Sequence, residues 1–205
     1  MTIDKAISQV KNRTKSKFDA TVEVHINLNV DSKKQDQMVR FSTVLPHGTG
    51  KSKVVATMAS KDIPNADINL TEADIGKIEK GTLKPGRDFD VIVTEPKFMS
   101  KIAGVAKILG PAGVMPNPKN GTVTEDVKKA VENFKKGQVE IRTEQLVPII
   151  HTIIGKVSFK EEELVENFNG LIKALEQNKP QGAGPDFIKT VFVCSTMGKS
   201  IQVDL

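Results

Sequence analysis

The stretch from Thr21 to Val30 constrains the fold more than any other part of the chain. Every second residue in it is aliphatic and the residues between are polar; the aliphatic ones are Val22, Val24, Ile26, Leu28 and Val30. Successive side chains of a strand point to opposite faces, so the pattern predicts a strand with one buried and one wet face. Sheets of that kind are characteristically antiparallel. The stretch therefore predicts an antiparallel sheet that is covered on one side only.

Both ends of the chain carry further strand and helix patterns. Strands are predicted over residues 21–30, 40–45, 138–142, 147–154, 187–195 and 201–205. Helical spacing of apolar residues predicts one helix that Thr2 caps and another that a capping box at Ser158 opens and Pro180 stops. Residues 196–199 then form the turn of the last hairpin. Both ends are therefore of the α+β type.

The middle of the chain has a different character. Residues 54–58 and 90–94 are short apolar runs without alternation, which is typical of parallel strands buried on both faces. Helices are predicted over residues 98–109 and from a cap at Thr124 to Gly137. This succession predicts an α/β unit.

These patterns predict two domains, one inserted into the other. Residues 1–49 and 139–205 form a split α+β domain with an antiparallel sheet, and residues 50–138 form the inserted α/β domain. The chain crosses between them twice at neighbouring places, which favours a hinge there. The predicted hinge residues are His47, Gly48, Gly50, Gly137 and Gln138.

Charge leaves the class of partner open. The formal net charge is +5 and the isoelectric point is about 9.2, which suits a polyanion but also many ordinary proteins. Basic residues alternate before Phe18, and either a solvated helix end or phosphate contact explains them: Lys11, Arg13, Lys15 and Lys17. No apolar run approaches the roughly 20 residues of a membrane span, and no secretory signal precedes the first helix, so the cytoplasm is the expected compartment.

No pattern predicts catalysis. The loop at residues 48–52 resembles the end of a phosphate-binding loop but lacks its first glycine and stands before a strand, and the glycine-rich loop at residues 110–113 follows a helix. No nucleophile with a base and no pair of carboxylates in a cleft is recognisable. The sequence therefore predicts neither an enzyme nor a cofactor.

No metal site is expected either. The three histidines, His25, His47 and His151, are far apart in the sequence, and Cys194 is the single cysteine, so no spacing typical of a zinc site is present. Cys194 lies in an apolar run and is predicted to pack in the core.

Two short segments stay ambiguous on their residues alone. Residues 17–23 place a lysine and an exposed phenylalanine at the entrance of a sheet, which fits an ordinary strand start or a binding surface. Residues 196–198 place an apolar Met197 at a hairpin tip beside a glycine, where a partner's backbone can approach closely.

Five blocks together resemble the family of the first protein of the large ribosomal subunit, in its bacterial form. They occur in the family's order and span nearly the whole chain. The blocks are residues 17–23 (KFDATVE), 45–51 (LPHGTGK), 108–118 (ILGPAGVMPNP), 155–159 (GKVSF) and 195–198 (STMG).

The resemblance implies a fold and a function. The fold is a split α+β domain holding a Rossmann-like three-layer α/β domain. The function is that of a structural ribosomal protein, monomeric when free, which binds the ribosomal RNA stalk beside the tRNA exit site, helps deacylated exit-site tRNA to leave and represses its own messenger RNA. The residues that the resemblance assigns to RNA are Lys17, Phe18, Thr21, Glu23, Lys156, Ser195, Thr196, Met197 and Gly198.

Three features depart from the family's usual pattern. The chain starts about one helix before the Phe18 block, where bacterial relatives carry a longer basic extension; Lys199 replaces a usual proline, and Ala112 a usual arginine. Two other functions remain as alternatives: a nucleotide-dependent enzyme using the α/β domain, and a free regulator acting only on messenger RNA.

Overall fold

The computed structural model describes residues 1–31, 37–144, 147–180, 182–184 and 186–204. The chain divides into a split unit, Met1–Lys51 with Gly137–Leu205, and an inserted unit, Ser52–Lys136. The helices are α1 Ile3–Arg13, α2 Glu72–Glu79, α3 Met99–Ile102, α4 Ala106–Leu109, α5 Val127–Lys135 and α6 Glu161–Gln177. The strands are β1 Thr21–Leu28, β2 Arg40–Val44, β3 Val55–Met58, β4 Ile68–Asn69, β5 Val91–Thr94, β6 Gln138–Arg142, β7 Ile149–Lys156, β8 Ile188–Ser195 and β9 Ile201–Val203.

The split unit is built on a four-stranded sheet in the order β7-β1-β8-β9. The strand β1 pairs antiparallel with both β7 and β8, and β8 with β9, so the predicted antiparallel sheet is confirmed. Along β1 the even-numbered residues from Val22 to Leu28 are buried, whereas the odd-numbered ones are half-buried. The alternation in the sequence therefore gives the two faces of this strand correctly.

One face of this sheet is covered by the helices α1 and α6, which also contact each other. Apolar residues of both helices and of the covered sheet face form one buried cluster, in which Ile7, Leu164 and Leu171 are fully or almost fully buried. Burying such side chains contributes about 1.5–3 kcal/mol each, so this cluster accounts for much of the unit's stability. The strands β2 and β6 form a separate two-stranded sheet, from which Phe41 and Val139 pack against this cluster.

The inserted unit has a parallel sheet in the order β4-β3-β5. Both predicted apolar runs are strands of it, and all four residues of β3 are buried. Alternate residues of β3 belong to two different apolar clusters. Ala56 and Met58 pack with residues of α2, α3 and α4, whereas Val55 packs with residues of α5. Burial on both faces explains why these runs lack polar alternation.

The structure corrects several element predictions. Residues 96–109 are not one helix but alternate between 3-10 and α turns, consistent with Gly104 in the middle and the three-residue spacing from Ile102 to Val105. The cap of α5 is Asp126, whose carboxylate accepts from the Lys129 N–H at 3.4 Å, instead of Thr124. The strand β4 was not predicted.

The capping box at Ser158 was wrong as well. The helix α6 begins at Glu161, and the side chain of Glu163 accepts from the backbone N–H of Lys160 at 2.9 Å. Ser158 instead donates from its N–H and hydroxyl to the carboxylate of Asp19, at 3.1 and 2.9 Å. Ser158 thus binds Asp19, which is distant in sequence, and does not cap the helix α6.

Domain limits and strand ends differ slightly from expectation. Gly50, Lys51, Gly137 and Gln138 belong to the split unit, although the sequence assigned them to the insertion. The strand β1 ends at Leu28 instead of Val30, and Leu205 lies outside the described residues. Within the described ranges, no helix combines the length and apolar character that a membrane span requires.

Candidate nucleic-acid interface

The residues that the sequence assigns to RNA lie at one end of the strands of the four-stranded sheet. Thr21, the first residue of β1, pairs with Lys156 of β7, and Val22 pairs with Ser195 at the end of β8. Because antiparallel neighbours run in opposite directions, the start of β1 lies beside the ends of β7 and β8. We call the following set the strand-end surface: Lys17, Phe18, Thr21, Glu23, Lys156, Ser195, Thr196, Met197 and Gly198.

Thr196 ties the hairpin turn to β1. Its backbone N–H donates to the Thr21 carbonyl at 2.9 Å, and the Thr21 N–H donates to Thr196 Oγ1 at 3.2 Å. The same hydroxyl donates to Glu23 Oε1 at 3.1 Å. These bonds fix a hydroxyl and a carboxylate side by side on the half-buried face of the strand.

Lys156 and Asp19 hold the loop before β1 in place. Lys156 Nζ donates to Thr21 Oγ1 at 2.8 Å and lies 3.4 Å from the Asp19 carbonyl oxygen. The Asp19 carboxylate is bound by Ser158, as described above. With the loop fixed at both points, Phe18 keeps 56 % of its surface exposed. A large apolar ring held in solvent on an ordered loop is available to a partner.

Met197 is the most unusual residue of this surface. It is 93 % exposed, and its φ of 68° lies in the left-handed region. Among the described residues, it alone combines a positive φ with a side chain larger than glycine's. Left-handed backbone costs an L-residue roughly 1–2 kcal/mol, so the turn keeps an apolar side chain in solvent at a conformational cost.

Gly198 and Ser195 have a structural part in the same turn. The Gly198 N–H donates to the Ser195 carbonyl at 2.7 Å, and a Cβ on Gly198 would stand 2.3 Å from Ser195 Oγ. Ser195 itself is only 3 % exposed, and its hydroxyl lies 2.8 Å from Thr14 Oγ1 at the end of α1. Its side chain therefore joins the turn to the helix on the covered face and does not point into solvent.

The basic residues before Phe18 do not all behave alike. Arg13, Lys15 and Lys17 are exposed. Lys11 is half-buried, and its Nζ donates to the carbonyl oxygen of Phe159. The cluster thus has one structural member, Lys11, and three exposed cations, of which Lys17 belongs to the strand-end surface.

The open face of the sheet also brings together side chains that the sequence did not connect. His25 pairs directly with His151 across β1 and β7, and their Nδ1 atoms are 2.6 Å apart. His25 Nε2 lies 3.2 Å from Cys194 Sγ on β8 and 3.9 Å from Glu23 Oε2. Cys194 is buried, as predicted, but its thiol belongs to this face, because Cys194 stands opposite Glu23 in the register.

The environment keeps His25 and Cys194 neutral. Burial lowers the pKa of His25, His151 lowers it further, and Glu23 acts in the opposite direction. Burial, and secondarily Glu23, raises the pKa of the Cys194 thiol. With a neutral ring, both short contacts of His25 are satisfied when its Nδ1–H donates to His151 and its Nε2 accepts from the thiol.

Two of the predicted hinge residues, His47 and Gly48, are held by one buried side chain. Asn167, fully buried in α6, accepts from the His47 N–H at 2.9 Å and donates to the carbonyls of Gly48 at 3.0 Å and Ile154 at 2.7 Å. Gly137 has a φ of +93°, and a Cβ there would lie 2.5 Å from Gly48 Cα. The two chain crossings therefore touch at glycines within this unit.

The neighbouring hinge residues are also tightly placed. A Cβ on Gly50 would stand 2.8 Å from Lys156 Cγ, and its φ is +74°. His47 Nε2 lies 2.5 Å from Glu166 Oε2, and Gln138 is buried at the start of β6. The loop 48–52 joins the strands β2 and β3, so it lacks the strand-to-helix setting of a phosphate-binding loop.

The sequence of this chain is similar to those of known proteins over nearly its whole length. The sequence model of the ribosomal protein L1p/L10e family matches residues 10–199. The chain is 44 % identical over 207 aligned residues to the large ribosomal subunit protein uL1 of Mycoplasma capricolum subsp. capricolum, covering 98 % of this chain and 90 % of that protein.

Proposed function

Because the chain belongs to the ribosomal protein L1p/L10e family, we propose that its strand-end surface binds the ribosomal RNA stalk beside the tRNA exit site. The broader function follows from membership. The chain is a structural constituent of the large ribosomal subunit, it is not an enzyme, it binds RNA of that subunit, and it works on cytoplasmic ribosomes.

The observation that carries the proposal is Met197. An almost fully exposed apolar side chain on left-handed backbone is unfavourable for a free protein, and such outliers concentrate at binding sites. A flat Met-Gly turn packs by shape against the sugars of a wide, shallow RNA minor groove. The cost of the turn is then offset when RNA covers it.

The polar groups of the surface suit the same partner. A-form RNA displays 2′-hydroxyls in its minor groove, and each of them donates and accepts. Thr21, Glu23 and Thr196 present hydroxyl and carboxylate oxygens, which are held in place by hydrogen bonds among these residues and by one from Lys156 to the Thr21 hydroxyl. Lys17 and Lys156 add attraction to phosphates, which is sensitive to salt.

The finer parts of the function rest on the family resemblance. We infer that the chain helps deacylated tRNA to leave the exit site and that the same surface represses its own messenger RNA by binding a similar fold. The parallel sheet with apolar clusters on both faces supports a Rossmann-like inserted domain. The glycines at His47–Gly50 and Gly137–Gln138 support a hinge between the two domains.

A competition experiment tests the proposal. The full chain is titrated with a stalk-RNA fragment against an excess of an unrelated duplex, and its co-sedimentation with large subunits is measured. We expect binding that survives the competitor. Binding lost equally to any duplex would reduce the surface to a general basic patch, and binding to RNA without co-sedimentation would favour the free regulator.

Lys17→Gln should lower the salt dependence of RNA binding. An exposed lysine that contacts one phosphate contributes about 1 to the slope of log affinity against log salt concentration, and the variant loses that contribution. Affinity measured at four or more salt concentrations gives the slope. Lys173→Gln, which removes the same charge from an exposed position on α6, is the matched control, and an equal loss of slope in both variants would remove Lys17 from the surface.

The split unit alone should bind the stalk RNA with nearly the affinity of the full chain. Residues 52–136 are replaced by a short glycine-serine linker, which leaves the contact between Gly48 and Gly137 in place. Circular dichroism establishes folding before RNA is added. A folded split unit that fails to bind would contradict the assignment of RNA to the strand-end surface.

A further inference from the structure

We propose that Glu23, His25 and Cys194 form a binding site for a divalent transition metal ion of the Zn²⁺ class on the open face of the four-stranded sheet. One ligand atom from each lies within 4.8 Å of the other two. A thiolate, an imidazole and a carboxylate are the three ligand types that zinc takes from proteins. The site is a property of the free chain and does not depend on the proposed RNA function.

The distances approach those of a coordinated ion. With Zn–N of about 2.0 Å and Zn–S of about 2.3 Å, tetrahedral coordination separates the two donor atoms by about 3.5 Å. His25 Nε2 and Cys194 Sγ are 3.2 Å apart, and His25 Nε2 and Glu23 Oε2 are 3.9 Å apart. Small rotations of side chains therefore suffice, and water completes the fourth position.

The strands place these ligands with little freedom. β1 is paired on both sides, so its backbone is fixed by two neighbours. Glu23 and His25 are two residues apart on one face of it, and Cys194 lies opposite Glu23 on β8. A site built on a paired central strand is held ready before the ion arrives.

The surroundings resemble the outer shell of metal sites. A histidine ligand usually donates its second ring N–H to an acceptor, and that contact fixes the ring's orientation. Here Nδ1 of His25 faces Nδ1 of His151 at 2.6 Å, and His151 Nε2 faces Glu144 Oε1 at 3.7 Å. Glu23 is oriented in the same way, because its second oxygen accepts from Thr196.

Metal binding is accompanied by the loss of one proton from the site. The thiol proton of Cys194 passes to solvent, the sulfur, the ring nitrogen and the carboxylate oxygen each donate an electron pair, and no oxidation takes place. The two negative ligands then neutralise the charge of the ion. One proton is therefore released for each ion bound.

The test uses the full chain in its reduced, metal-free form. Zn²⁺ is titrated in competition with a chromophoric chelator, and Co²⁺ is added separately as a spectroscopic probe. We expect one ion per chain, a thiolate-to-cobalt charge-transfer band and the strong visible bands of four-coordinate cobalt. Absence of the thiolate band, or zinc affinity no tighter than about millimolar, would overturn the proposal.

Variants locate the ion. Cys194→Ser, His25→Ala and Glu23→Gln should each weaken Zn²⁺ binding by at least about 100-fold, and His151→Ala by about 10- to 100-fold through the outer shell. His47→Ala, which removes a histidine paired with Glu166 elsewhere, is the matched control and should change affinity less than about twofold.

If Cys194→Ser fails to fold, the variants at His25 and Glu23 still test the site. The side chains of His25 and Glu23 are 28 % and 34 % exposed, so those two variants should fold normally by circular dichroism. Unchanged zinc affinity in both of them would place the ion elsewhere and refute the site.

Discussion

Met197→Asp is expected to reduce affinity for the stalk RNA by about 3 kcal/mol, or roughly 100-fold, without lowering the stability of the protein. The change removes the apolar contact at the hairpin tip and puts a negative charge where phosphates approach. The side chain is 93 % exposed, so no folded-state packing is lost. Aspartate also tolerates the left-handed backbone of this position better than methionine does.

Fluorescence anisotropy with labelled stalk RNA measures the loss, and thermal unfolding measures stability. Met38→Asp, at another exposed methionine of the split unit and outside the strand-end surface, introduces the same charge and should leave affinity within about twofold. Full affinity in Met197→Asp would show that the turn does not touch RNA. An equal loss in both variants would point to net charge instead of contact.

Met197→Gly separates contact from strain within the same experiment. Glycine adopts a positive φ freely, so the turn should be at least as stable as in the parent chain, while RNA affinity should fall by about 1 kcal/mol. A variant with unchanged folding and weaker binding is the outcome expected of a residue retained for its partner.

Asn167→Leu is expected to destabilise the split unit by about 3–5 kcal/mol, a large part of a typical domain's total. The substitution keeps the volume of the side chain but leaves three backbone groups without their partner: the buried carbonyl of Ile154, and the N–H of His47 and the carbonyl of Gly48, which are partly buried. Each such orphaned group costs about 1–3 kcal/mol.

Hydrogen exchange on peptides from α6 and β7 measures this loss directly in the split unit. Asn178→Leu is the matched control, since Asn178 is exposed and its Nδ2 makes one bond, to the Ala174 carbonyl at 2.8 Å; it should change stability by less than about 1 kcal/mol. Unchanged protection of α6 in Asn167→Leu would mean that the three bonds contribute little. That outcome would leave the chain crossing near Gly48 to be fixed by other contacts, among them that of Gly48 with Gly137.

The sequence predicted most elements of both units because their signals are local. The alternation of Thr21–Leu28 identified β1 and its buried face, and the lack of alternation over residues 54–58 identified the parallel strand Val55–Met58 of the inserted unit. It failed where a distant partner decided the outcome. Ser158 has the spacing of a helix cap, yet the carboxylate of Asp19, far away in sequence, holds it outside the helix.

The candidate sites show the same difference between what local sequence indicates and what distant partners decide. The strand-end surface came from residue blocks that resemble a family, whereas nothing local indicated that Ser195 is buried or that Met197 has a left-handed backbone. The pairing of His25 with His151 was missed because spacing within the sequence was the only available guide to a metal site. Alternation did place His25 on the wet face, and it could not supply the partner.

What the sequence by itself determined is the class of most elements, the buried side of β1 and the family of the chain, because these follow from periodicity and residue blocks read over short distances. What only the tertiary structure decided is which side chains meet: Glu23, His25, His151 and Cys194 on one face, and Asn167 with the backbone at His47 and Gly48. The physical reason is strand register. A shift of one residue reverses the face that each side chain occupies, and register is set by packing over the whole core.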